Sequence, residues 1–249
     1  MTSQNKKVLL SLLLGSILCL ALLIISVTRA LAISEEQQAA QTEYQELQSQ
    51  FSPLSADREN PTESLSAFAY DLLTINPDYI GWLTLSPIGI DHPVVRGADN
   101  QRYLSTTFEG SQNPSGALFM DCQNTMGFDA SHVVIYGHHM KNGTLFGNLG
   151  QYLDAEFLRE NPTITVITVW GEALEYQIFS AGYVDAYDSC YTVTFTDEAQ
   201  FSAFSDHLSA PQGSRNILTL STCAQRGDKD ERIVLHAVRQ DTMSPPPHE

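Results

Sequence analysis

With 249 residues, 43% of them apolar, the chain can build one domain with a full core plus accessory segments, which excludes a wholly disordered protein. The net charge is −16, and from Ser34 onward ten basic residues stand against 29 acidic ones. Such a balance repels nucleic acid phosphates and argues against a DNA- or RNA-binding protein.

Val8 to Val27 is a 20-residue run without charge, long enough to span a bilayer as a helix. Lys6 and Lys7 precede it, which predicts a cytoplasmic N-terminus and an extracellular remainder. Ala30-Leu31-Ala32 resembles a cleavage site, but the apolar run exceeds the usual core of a secretory signal, so a retained anchor is expected. The division is a tail over 1–7, an anchor over 8–27, a polar stalk over 28–61, a folded domain over 62–240 and a disordered Pro-rich tail over 241–249. Within the stalk, Ala39 to Gln50 has helical character, and the run to Asn60-Pro61 breaks it. A second helix starts near Thr62, carries Leu65, Phe68, Ala69, Leu72 and Leu73 at helical spacing, and stops at Pro77.

From Tyr79 the pattern turns to strands. Short apolar runs at Ile80–Leu85, Pro93–Val95, Ala117–Met120, His132–Tyr136, Thr163–Trp170, Ala173–Ser180, Asn216–Cys223 and Arg232–Val238 are separated by turn residues. Asp197 to Leu208 reads as an amphipathic helix capped by Asp197. This pattern predicts a mainly β protein, a closed or nearly closed barrel of about eight strands.

Four cysteines occur: Cys19, Cys122, Cys190 and Cys223. They form no C-x-x-C, so neither a disulfide framework nor a zinc knuckle is expected. Nothing in their spacing supports a Cys122–Cys190 bridge, and at least one thiol should stay free. Cys223 ends a strand on which Thr219, Ser221 and Cys223 share one face, Leu218 and Leu220 the other. That is either a core cysteine or a nucleophile mount facing a groove. A nucleophile needs a base or cation nearby. His138 and His139 follow the His132–Tyr136 strand, and strand phase places His138 with Tyr136. Being adjacent, the two should face opposite sides, which counts against a shared metal. Arg232 opens the last strand, beyond a Gly227-Asp228-Lys229 turn, and antiparallel pairing would place it near Cys223. Read singly, the histidines are loop residues and Arg232 a surface charge.

Together, Tyr136-Gly137-His138, Leu220-Ser221-Thr222-Cys223 and Arg232-Ile233-Val234, in this order behind an apolar anchor, resemble the sortases, the cysteine transpeptidases of Gram-positive bacteria. The resemblance covers about Leu65 to Arg239. Asn76-Pro77-Asp78-Tyr79-Ile80-Gly81-Trp82-Leu83, Tyr136-Gly137-His138-His139-Met140 and the long Gly182–Asn216 segment resemble class B. The family likeness implies a closed eight-stranded sortase-type β-barrel with an N-terminal helix and a helix inserted between the sixth and seventh strands. It implies Cys223 as nucleophile, His138 as acid/base and Arg232 as substrate and oxyanion group. It also implies Asn100, Leu104, Tyr136 and Ser221 as substrate-groove positions. The reaction implied is cleavage of a C-terminal sorting motif after Thr through a thioacyl intermediate, needing no cofactor or metal. Substrates would be secreted proteins bearing the signal, of an Asn-Pro-x-Thr or a Leu-Pro-x-Thr-Gly type. The acceptor would be a peptidoglycan amine or a pilin Lys. A metal-dependent hydrolase and a silent scaffold on the same barrel are the rival readings.

Overall fold

The computed structural model describes residues 3–53, 61–224 and 230–240. The expected Gly227–Lys229 turn and the 241–249 tail lie outside the described residues. Eight strands close a barrel in the order β1-β2-β3-β4-β7-β8-β6-β5. They are β1 (Tyr79–Leu85), β2 (Ile90–Val95), β3 (Leu118–Met120), β4 (His132–Tyr136), β5 (Thr163–Thr168), β6 (Ala173–Asp185), β7 (Ile217–Cys223) and β8 (Glu231–Arg239). Two neighbouring pairs, β2/β3 and β4/β7, are parallel. Inward side chains such as Leu83, Val94, Leu118, Ile135, Val166, Tyr176, Leu220 and Leu235 fill the interior almost without exposure. Closure removes the sheet edges that short strands would otherwise leave unpaired.

Among the described residues, four α-helices accompany the barrel: α1 (Ser3–Phe51), α2 (Pro61–Ile75), α3 (Ala155–Glu160) and α4 (Glu198–His207). α1 runs unbroken through 49 residues, about 70 Å at 1.5 Å per residue, joining the apolar run to the helical stretch expected over Ala39–Gln50, and it ends at Phe51, where the expected break begins. It is one N-terminal helix long and apolar enough to cross a membrane. Its last four turns dock on the barrel. Ala40, Tyr44 and Leu47, at helical spacing, are buried. Tyr44 Oη donates to Gly116 O at 2.6 Å and Gln48 Nε2 to Asp91 O at 2.8 Å. On α2, Ala69 and Leu72 are buried as the periodicity predicts, while Leu73 turns partly to solvent.

The segment between β6 and β7 covers the outside of β7 and β8. Cys190, Phe204 and Leu208 pack there on Ile217 and Val234 as a second small core. Asp197 caps α4, its side chain accepting from Gln200 N. β6 is longer than the alternation predicts, because Ala181–Asp185 continues to pair with Glu231–Leu235 of β8. All four cysteines are free thiols, so Cys122 and Cys190 form no bridge.

Under α4 lies a directed polar chain. His132 Nδ1 is 2.7 Å from Thr192 O, which only accepts, so Nδ1 carries the hydrogen. His132 Nε2 then accepts from Thr219 Oγ1 at 2.7 Å, and Thr219 Oγ1 accepts from His236 Nδ1 at 2.9 Å. Thr219 therefore faces this buried layer rather than the groove its alternation with Cys223 suggests. Burial lowers His132 to about 3 and His236 to about 4, and buried His92 also falls to about 4. Above pH about 6.5 these rings are neutral in both folded and unfolded chains and pH changes nothing. Below it the unfolded chain binds protons that the fold refuses. Stability should therefore fall between pH about 6.5 and 4, by up to about 1.4 kcal/mol per pH unit for each ring. Urea midpoints of the detergent-solubilised chain across that range check this; a flat profile would contradict it.

Candidate active site

The site is built by register. β4 and β7 run parallel with His132 opposite Ile217 and Tyr136 opposite Ser221, and Gly137 N extends the ladder by donating to Ser221 O at 3.1 Å. Two residues further on, His138 and Cys223 leave the barrel at the same end. β7 and β8 run antiparallel with Cys223 directly opposite Arg232. Three adjacent strands thus deliver an imidazole, a thiol and a guanidinium to one rim.

These side chains line a groove of about 330 Å³. Its lining includes all seven residues singled out from the sequence: His138, Cys223, Arg232, Asn100, Leu104, Tyr136 and Ser221. Cys223 is exposed at the strand end, and Ser221 is buried beside it. His138 Nε2 lies 2.8 Å from Leu104 O, so this nitrogen carries a hydrogen and Nδ1 is left to exchange a proton. His139 also reaches the cysteine residue, but through the backbone: its Nδ1 donates to Cys223 O at 2.9 Å. The two histidines bond different partners: His138 reaches the β2–β3 connection, and His139 braces the end of β7. Arg232 Nη1 donates to Glu231 O at 3.1 Å, which steadies the guanidinium.

Gly137 is required where β4 meets the groove. A Cβ there would stand against Leu118 Cδ2 and 2.6 Å from Phe146 Cδ2, inside van der Waals contact. Gly137→Ala is expected to cost about 1–3 kcal/mol by overpacking, read as a lowered urea midpoint. A midpoint equal to that of the native chain would refute this crowding.

Sequence reasoning missed Phe119, Ala186, Tyr191 and Thr222 on the groove walls. Tyr191 arrives from the β6–β7 segment, its Oη 2.8 Å from Ser221 Oγ and its ring stacked 6.1 Å from Tyr136. Burial, more than any charge, pushes its hydroxyl up to about 12. Nothing in local spacing marks Tyr191. Among the described residues, no group of three or more His, Cys, Asp or Glu side chains is placed to hold a metal ion.

A closed mixed barrel that gathers a thiol, an imidazole and a guanidinium at one rim holds the groups that cysteine-type acyl transfer uses. The sortase-domain family model matches residues 83–240. Sortase B of Listeria monocytogenes is 33% identical over 178 residues, which is 66% of this chain and 71% of that protein. A cysteine mutant of Clostridium perfringens sortase B superposes with a TM-score of 0.72 at 30% identity, covering 80% of this chain and 97% of the other. The Staphylococcus aureus sortase B–substrate complex gives 0.72 at 27% identity, covering 83% and 98%. The chain belongs to the sortase family and is a cysteine transpeptidase, most like class B.

Proposed function

We propose that this chain cleaves a C-terminal sorting motif after its Thr and joins the released carbonyl to an amine of peptidoglycan. The observation that carries this reading is the strand register that brings His138, Cys223 and Arg232 together at one groove. The Cys223 thiolate attacks the Thr carbonyl, and the electron pair moves onto the carbonyl oxygen. The Arg232 guanidinium donates to that oxyanion. Collapse of the tetrahedral species breaks the C–N bond, and the His138 imidazolium gives its proton to the leaving amine. A thioester remains on Cys223. An acceptor amine then attacks it, His138 takes the amine's proton, and the thiolate departs. Asn100, Leu104, Tyr136 and Ser221 hold the peptide during both steps.

In this reading 8–27 crosses the membrane once with 1–7 in the cytoplasm, and the 62–240 domain works outside the cell. The docked end of α1 supports it, since a helix continuous with the anchor would hold the barrel against the membrane. The test uses the full chain in detergent micelles with Asn-Pro-x-Thr and Leu-Pro-x-Thr-Gly peptides. Intact mass should reveal a thioacyl adduct with one of them. A peptidoglycan stem amine should release it faster than the ε-amine of a pilin Lys. Faster release by the Lys would turn the assignment to pilus assembly, and no adduct with either peptide would contradict both motifs.

A further inference from the structure

Asp121, just after β3, is 5% exposed and lies beneath the groove wall. Three donors converge on its carboxylate, a group that accepts only. Asn100 Nδ2 donates to Oδ2 at 2.8 Å, Tyr136 Oη donates to the same oxygen at 3.0 Å, and Gln123 N donates to Oδ1 at 2.9 Å. Asn100 and Tyr136 come from different parts of the chain, the β2–β3 connection and the end of β4, and both line the groove. The Asn100 amide is gripped at its other end too, because its Oδ1 accepts from Cys122 N at 2.8 Å. Flipping that amide would set donor against donor at Cys122 N and acceptor against acceptor at Asp121.

The polarity of this wall is therefore settled. The hydrogen of Tyr136 Oη is committed to Asp121, which leaves the oxygen lone pairs. One Nδ2–H of Asn100 is committed, which leaves the second. Burial, and then the charge of Asp121, raises the Tyr136 pKa well above that of an ordinary phenol, so the hydroxyl keeps its proton. A donor from Asn100 beside an acceptor from Tyr136 matches the C=O and N–H of one amide unit.

We infer that Asp121 is a positioning residue for substrate, orienting Asn100 as a donor and Tyr136 as an acceptor toward one amide unit of the sorting peptide. This rests on the reading that Asn100 and Tyr136 touch the substrate. Asp121→Asn puts an NH2 in place of one carboxylate oxygen: at Oδ2 it would set donors against both Asn100 Nδ2 and Tyr136 Oη, at Oδ1 against Gln123 N, and in either case the bonds that remain lose their charge assistance.

The test compares Asp121→Asn, Asn100→Ala, Tyr136→Phe and the Asn100→Ala/Asp121→Asn double variant in the full chain. The probe is an Asn-Pro-x-Thr peptide, and a small methanethiosulfonate reports on Cys223. Asp121→Asn should raise KM about tenfold, the worth of the charge assistance withdrawn from the Asn100 and Tyr136 contacts, with kcat and the labelling rate within about twofold of native. The double variant should raise KM by less than the product of the two single effects, since part of what Asp121 does passes through Asn100 and the rest through Tyr136. Native KM in Asp121→Asn alongside a raised KM in Asn100→Ala would overturn the positioning role and leave the groove reading standing. Native KM in both Asn100→Ala and Tyr136→Phe would overturn the groove reading and this inference with it. Additive losses, or labelling slowed together with kcat, would mean that Asp121 only supports the fold. Should Asp121→Asn melt too low to assay, Asp121→Ser, smaller and still polar, carries the same comparison.

Discussion

Cys223→Ala should remove the thioacyl adduct and lower turnover by at least about 10⁴-fold, because a thioester needs a thiol and Cys223 is the cysteine among the groove-lining residues. Cys223 is exposed at the end of β7, whereas Cys190 lies 1% exposed within the second core. Burial raises the Cys190 thiol far above the range in which it ionises, and the charge of Asp188 adds to this. Cys122 follows Asp121, beneath the wall, and is absent from the groove lining. Removing one sulfur from an open rim disturbs little packing, so the melting temperature of the variant should stay near that of the native chain. Rapid-quench intact mass and product assays decide this together. An adduct of normal yield on the Ala variant would show that the nucleophile is elsewhere.

Arg232→Lys should lower kcat about 10²- to 10³-fold, the usual cost of losing one oxyanion donor, while KM changes much less. The antiparallel register places Arg232 opposite Cys223, and the Glu231 carbonyl holds part of its guanidinium. A guanidinium can satisfy that carbonyl and still present a planar fork to the developing oxyanion. The lysine ammonium keeps the charge but is a mobile point, and it cannot donate in two fixed directions at once. Single-turnover acylation should slow as much as kcat does, since the oxyanion forms in that step. Acylation within threefold of native would mean that charge alone suffices at this position.

The two effects differ in kind because one removes a bonding partner and the other only its electrostatic support. Their combination should not be additive: once Cys223 is gone there is no oxyanion for Arg232 to stabilise.

Much of this protein was legible from local pattern. Alternation and turn residues located all eight strands, most within a residue or two, and His132–Tyr136 at its observed bounds. The Asp197 cap and α4 were equally readable, because a cap and a helical stripe are properties of neighbouring residues. The proximity of Cys223 and Arg232 also followed from sequence, since a short connection between two strands favours antiparallel pairing. His138 beside Cys223 did not follow in that way. These residues are 85 apart and meet only because β4 and β7 pair in parallel, and residue types alone favour no particular long-range partner. Family likeness supplied that pairing.

Other features had no local signal. The alternation that set Thr219 with Cys223 ignored the β6–β7 segment, which covers that part of β7 and turns Thr219 into a link between two buried histidines. Richness in Gln, Glu and Ala made 28–61 read as a stalk, and only a barrel surface to receive Ala40, Tyr44 and Leu47 makes them a docking stripe. Asp121 carries no local signal, because two of the three donors that converge on it, Asn100 and Tyr136, come from other segments of the chain. Which elements form is written locally, because capping, alternation and turn chemistry act within a few residues. Which side chains face one another across the groove emerges only on folding, because that depends on strand order, parallel register and what covers each face.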